Sequence, residues 1–88
     1  MKMTTEKLKD NLNELGVAKR QYSLSNELIA DAIILNKHYN VWEVFYLDEK
    51  GNRANEKNFD TEGEACFYIY QLFKNAKVVE LEFKINTK

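Results

Sequence analysis

A catalytic reading of this chain has to begin with His38 and Cys66, its one histidine and one cysteine. Covalent chemistry needs a nucleophile, a base and a third group that orients the base. His38 opens the triplet His38-Tyr39-Asn40, which reads as a turn. Cys66 falls near the start of an expected helix, where the helix dipole lowers a thiol pKa, but Glu62 and Glu64 lie close by and oppose the thiolate. Cys66 is therefore expected to pack in the core, as free cysteines commonly do, and His38 to be a solvated turn residue. The acid pairs Glu62/Glu64 and Glu80/Glu82 are formal candidates for general acid and base. The first pair suits a helix N-terminus, and the second reads as the solvent face of a strand. Asp48-Glu49-Lys50-Gly51 puts lysine where a calcium loop needs a ligand. With no Cys/His cluster, phosphate loop or dinucleotide fingerprint, the expectation is no catalytic residue, no cofactor and no metal.

Those residues must be carried by a small framework. At 88 residues the chain can build one modest core, so a single domain over residues 1–88 is expected. Its 44% hydrophobic and 31% charged residues are those of a folded chain and not of a disordered one. A formal net charge of −1 withholds the electrostatic attraction that supplies most non-specific nucleic-acid affinity. One cysteine cannot form an internal disulfide. No apolar run approaches the roughly 20 residues that cross a bilayer, and residues 1–10 are charged where a signal core would be apolar. A cytoplasmic location without membrane contact is expected.

Leu8, Leu12 and Leu15 recur at i, i+4 and i+7 between charged residues, which predicts an amphipathic helix over residues 4–15. Thr4 or Thr5 can cap it and Gly16 can stop it. Gln21-Tyr22-Ser23-Leu24 alternates as a short strand does. Residues 25–36 are ambiguous, since Leu28, Ala32 and Leu35 fit a helix while Ile33-Ile34-Leu35 fits a buried strand; a strand over 31–37 is favoured by the turn and strand that follow. Residues 41–47 form that next strand, with Trp42, Val44 and Tyr46 on one face and Val41, Glu43, Phe45 and Leu47 on the other. Both faces are partly apolar, so both should be covered. A hairpin turn at 48–52 leads to an optional polar strand at 53–59. Thr61 and Glu64 have capping-box spacing, and Ala65, Ile69, Leu72, Phe73 and Ala76 make the apolar face of a second helix, with Cys66 and Tyr70 at its edge. Val79, Leu81, Phe83 and Ile85 alternate with Glu80, Glu82 and Lys84, predicting a last strand over 79–85. The expected architecture is α+β, order α-β-β-β-α-β, with an antiparallel sheet packed against two helices.

The order α-β-β-β-α is shared with double-stranded RNA-binding domains, which grip phosphates from the start of the second helix. Glu62, Gly63 and Glu64 occupy that place here and would repel a phosphate backbone. Lys50, Arg53 and Lys57 beside Trp42, Tyr46 or Tyr39 are the residues left for an RNA-binding alternative. The sequence argues against nucleic acid as the partner.

Several short motifs recur in order: Tyr22-Ser23-Leu24, Trp42-Glu43-Val44-Phe45-Tyr46, Glu49-Lys50-Gly51-Asn52 and Phe59-Asp60-Thr61-Glu62-Gly63-Glu64-Ala65-Cys66. The series resembles the W-E-V-Y-Y, E-R-G and F-x-S/T-E-x-E-A-C motifs of small bacterial immunity proteins of polymorphic toxin systems. The resemblance runs from Tyr22 to Phe73 and departs at Phe45, where the series has tyrosine, and at Lys50, where it has arginine. It implies a protein that binds and neutralises a cognate toxin domain, typically by covering the toxin's active site.

For such a partner the sequence offers an aromatic group drawn from Tyr22, Tyr39, Trp42, Tyr46, Tyr68 and Tyr70, because tyrosine and tryptophan are enriched at binding hot spots. It also offers an acidic set, Asp48, Glu49, Asp60, Glu62 and Glu64, suited to a basic partner. The expected strand at 79–85 offers a third surface, an edge through which a homodimer or other self-associating structural assembly can form.

Overall fold

The computed structural model describes residues 3–86, with side chains described for residues 3–76. The first helix, α1 (Thr5–Glu14), starts where Thr4 Oγ1 accepts the Lys7 amide at 3.3 Å, satisfying one of the N–H groups that a helix start leaves open. It stops at Gly16, whose φ of 79° is left-handed. The Gly16 and Val17 amides then reach back to the Asn13 and Leu12 carbonyls, each at 3.0 Å, closing a Schellman motif. One turn of 3₁₀ helix (Lys19–Gln21) leads into the strands β1 (Tyr22–Ser23), β2 (Ala32–His38), β3 (Val41–Leu47) and β4 (Arg53–Phe59), followed by α2 (Glu62–Asn86).

The four strands form one sheet in the order β1-β2-β3-β4. The pairs β2–β3 and β3–β4 are antiparallel, as expected, but β1 runs parallel to β2, with Tyr22 opposite Ile33 and Ser23 opposite Ile34. The sheet is therefore mixed and not wholly antiparallel. The cause is residues 24–31, which carry the chain back along the sheet instead of turning tightly. Asn26 and Asp31, at φ 63° and 59°, make that return in left-handed conformations, which these two residue types tolerate better than others do. Asn26 Oδ1 also accepts the Lys37 amide at 2.9 Å, closing part of the open edge of β2.

The optional strand at 53–59 is present as β4, and residues 25–36 resolve into a loop followed by β2. The strand expected at residues 79–85 is absent: α2 continues through them to Asn86. The alternation of Val79, Leu81, Phe83 and Ile85 has the period of a strand, yet no glycine or proline stands between Ala76 and Ile85 to end the helix. Lys77, Glu80, Leu81, Glu82 and Lys84 are all good helix formers. The homodimer contact expected through that strand has no strand to form it.

Both faces of the sheet are covered, by different means. On one face Leu35 and Val44 join Leu8 and Leu12 of α1 and Ala65, Cys66 and Ile69 of α2, with Trp42, Phe59 and Phe73 packed around them. Cys66 thus sits inside the apolar face of α2 and not at its edge. On the other face Ala32, Ile34, Phe45 and Leu47 form a second cluster beneath Ile29 of the returning loop. The Arg53 guanidinium lies 4.1 Å from the Phe45 ring centroid and helps to close this side.

Ile34 has no exposed surface although no helix lies on its side of the sheet. Ile34→Ala is expected to cost about 2–5 kcal/mol, the range of fully enclosed core positions, measured as the shift in a urea unfolding curve. A cost below about 1 kcal/mol would mean that the loop does not enclose this cluster.

Candidate protein-binding surface

The antiparallel register divides the candidate contact residues between two ends of the sheet. Trp42 pairs with Phe59, while Leu47 pairs with Arg53, so Tyr39, Trp42, Asp60, Glu62 and Glu64 gather at one end and Tyr46, Asp48 and Glu49 at the other. A seven-residue strand separates the ends by about 20 Å.

Three of the five acidic residues are engaged in hydrogen bonds within the chain. Glu62 is half-buried and its Oε2 accepts the Thr5 amide at 3.1 Å, so one carboxylate serves the N-termini of both helices. The Thr61 hydroxyl donates to Glu64 Oε1 at 2.9 Å and accepts the Glu64 amide at 3.2 Å, fixing the start of α2. Asp48 Oδ1 accepts the Lys50 and Asn52 amides at 2.9 and 2.7 Å. This organises the β3–β4 hairpin around Gly51, which needs its φ of 87° and not the space, since an added Cβ would meet nothing within 4 Å. Glu49 and Asp60 remain exposed.

The aromatic candidates divide in the same way. Tyr22 is buried, and Trp42 is half-buried against the main core with Lys37 Nζ 5.1 Å from its ring centroid. Tyr68 leans on Phe59 at 5.2 Å between centroids. Tyr39 alone stands clear: it is 85% exposed at the tip of the β2–β3 turn, with its ring edge against His38 at 4.6 Å. Its φ is 56°, a left-handed backbone that a bulky residue adopts at a cost.

At the opposite end a cleft of about 530 Å³ opens between α2 and the sheet. Ile33, Val44, Tyr46, Tyr68, Leu72, Phe73 and Ala76 form its walls, and Asn55, Glu56 and Lys57 its β4 rim. The rim is shaped by a bulge in β4: between the pairs Val44–Lys57 and Tyr46–Ala54 the edge strand holds one more residue than β3, and Asn55 takes φ 55° to absorb it. The Tyr46 hydroxyl donates to Asp31 Oδ1 at 3.0 Å. That bond, then partial burial, then the charges of Asp31, Asp48 and Glu49 hold the phenol above its usual 10.0.

The residues weighed first for chemistry stay apart. Cys66 is fully buried in the core, and burial, helped by the Glu62 carboxylate, pushes its thiol up to about 11, so thiolate is scarce at neutral pH. His38 is exposed, as expected, but it is the last residue of β2, paired with Val41, and not part of the turn. Among the described residues no group of three or more His, Cys, Asp or Glu side chains could hold a metal ion, and no helix is long and apolar enough to cross a membrane.

Sequence reasoning missed Phe67 and Leu28, exposed at 53% and 61%. Phe67 was detectable, because it falls off the 65/69/72/73/76 face of its helix. The bulge at Asn55 and the tether on Asp31 left no signal beyond residue types that tolerate left-handed backbone. Comparison of the chain with family models, curated proteins and solved structures finds no match.

Because the raised pKa of Tyr46 reflects a proton held in the folded state, the stability it contributes is complete at neutral pH and is lost as pH rises through the raised value. Asp31→Asn keeps an acceptor and a left-handed residue while removing the charge. The Tyr46 ring resonances should then titrate at lower pH than in the wild type, and an unchanged titration would contradict the tether.

Proposed function

We propose that this domain is a non-catalytic protein-binding module of the immunity type, which neutralises a bacterial toxin domain by covering its active site. The observation that carries the reading is Tyr39, an aromatic side chain held 85% exposed on left-handed backbone at the tip of a hairpin. The two-residue β2–β3 hairpin, closed by the pair His38–Val41, needs left-handed backbone at its first loop residue, and tyrosine supplies it at about 1–2 kcal/mol where glycine would not incur that cost. Backbone strain of this kind is typical of positions kept for a contact made elsewhere. Exposed tyrosine on a rigid turn contributes large contact area with little side-chain entropy to lose.

The immunity reading rests further on the ordered motifs between Tyr22 and Phe73. Most of those residues have structural work here: Trp42 anchors the sheet, Gly51 makes the hairpin, Thr61 and Glu64 start α2, and Ala65 and Cys66 fill the helix–sheet contact. Motifs of that kind transmit a fold more securely than an activity. Tyr39, with Asp60 exposed at the same end of the sheet, supplies the contact.

Stability and binding should therefore move in opposite directions at this residue. Tyr39→Asn is expected to raise unfolding stability by about 1 kcal/mol. It should also weaken the complex with the product of the neighbouring gene at least about tenfold, as loss of an aromatic hot spot does. Co-purification with that product followed by calorimetry reads both. Absence of a complex with the intact chain, or an affinity indifferent to Tyr39→Asn, would overturn the proposal.

A further inference from the structure

The cleft at the opposite end of the sheet has features that the Tyr39 contact does not use. Three aromatic rings, those of Tyr46, Tyr68 and Phe73, line one opening of about 530 Å³, within the range of roughly 300–1,000 Å³ over which proteins hold compact ligand groups. Leu72 and Ile33 extend the wall with aliphatic surface. Asp31, exposed and outside the lining itself, is tied to the wall residue Tyr46 by the 3.0 Å bond from its hydroxyl. The charges that act on that hydroxyl and raise its pKa are all carboxylates, Asp31, Asp48 and Glu49. Electron-rich ring faces in a negative field select positive charge, and aliphatic walls select a cation that carries a hydrocarbon stem.

We propose that this cleft is a seat for a cationic side chain of a partner protein, arginine above all, stacked against Tyr46 and Phe73 beside the Asp31 carboxylate. Arginine fits better than lysine because its planar, weakly hydrated guanidinium both stacks on rings and bonds a carboxylate bidentately. The two charges on the β4 rim set where it lies. Glu56 is paired with Arg53 at 3.5 Å on the surface, and Lys57 sits opposite Val44, away from the Tyr46–Ala54 pair. Lys57 therefore repels a cation from the middle of the cleft and confines it to the Tyr46 end. The bulge at Asn55 shapes the β4 rim of the cleft at that level. The seat stands on its own geometry, whether or not the Tyr39 end meets a toxin.

The test is a nuclear magnetic resonance titration of the full chain with a blocked tripeptide, glycine-arginine-glycine, and with its citrulline counterpart, which has the same shape and no charge. Saturable shifts of the Tyr46 and Phe73 rings are expected with arginine and not with citrulline. Ala76→Trp, at an exposed wall position, fills the cleft without touching the core, and Asp31→Asn removes the charge while keeping the backbone. Each should weaken binding at least about fivefold, whereas Lys57→Ala should tighten it. Tyr39→Asn should leave the titration unchanged. An equal response to citrulline, no saturable shift, or indifference to Ala76→Trp would overturn the seat. Retention of a protein partner by Ala76→Trp in the face of a negative titration would remove the seat alone and leave the Tyr39 contact standing.

Discussion

The β2–β3 ladder is buried on both faces, and the rest of the structure follows from that constraint. Leu35 and Val44 lie under the helices while Ile34 and Phe45 lie under the returning loop, each with no more than 1% of its surface exposed. Each such side chain contributes about 1.5–3 kcal/mol by leaving water, so neither face can be surrendered to a partner without dismantling the core. A central hairpin covered in this way leaves recognition to its ends, to the bulged edge of β4 and to the outer surfaces of the elements that cover it. Tyr39 and the aromatic cleft occupy two of those places.

Electrostatics narrows the choice further. A loop or helix start leaves amides without partners, and the nearest carboxylate is drawn to them before it can serve anything outside. Asp48 closes the β3–β4 hairpin, Glu62 joins the two helix N-termini and Glu64 locks Thr61. Three members of the set that looks in the sequence like an acidic docking patch therefore also hold local backbone in place. Glu49 and Asp60 carry their charge outward without such a bond, as the exposed Glu64 does with one.

Local signals were legible where one residue type has one physical use. The leucine spacing of α1, the stop at Gly16, the two-faced pattern of β3 and the cap at Thr61 were all readable. So was the burial of Cys66, although it lies within the apolar face of α2 and not at its edge. Non-local choices were not readable. Whether Val79, Leu81, Phe83 and Ile85 continue a helix or begin a strand depends on what the chain can pack against, and their period pointed the wrong way because nothing nearby stops α2. The parallel placement of β1 is set by two left-handed residues, Asn26 and Asp31, that look like any polar loop. The placement of Asp60, Glu62 and Glu64 at the Trp42 end of the sheet appears only once the β3–β4 register is fixed.

Native-state hydrogen exchange on the isolated chain tests the two-faced ladder most directly. The amides of Ile34, Leu35, Val44 and Phe45 should exchange only through global unfolding, at the same free energy as Ile69 in α2, because both clusters share one hydrogen-bonded ladder. Exchange of the β2–β3 amides through a cheaper local opening, while Ile69 stays protected, would contradict it.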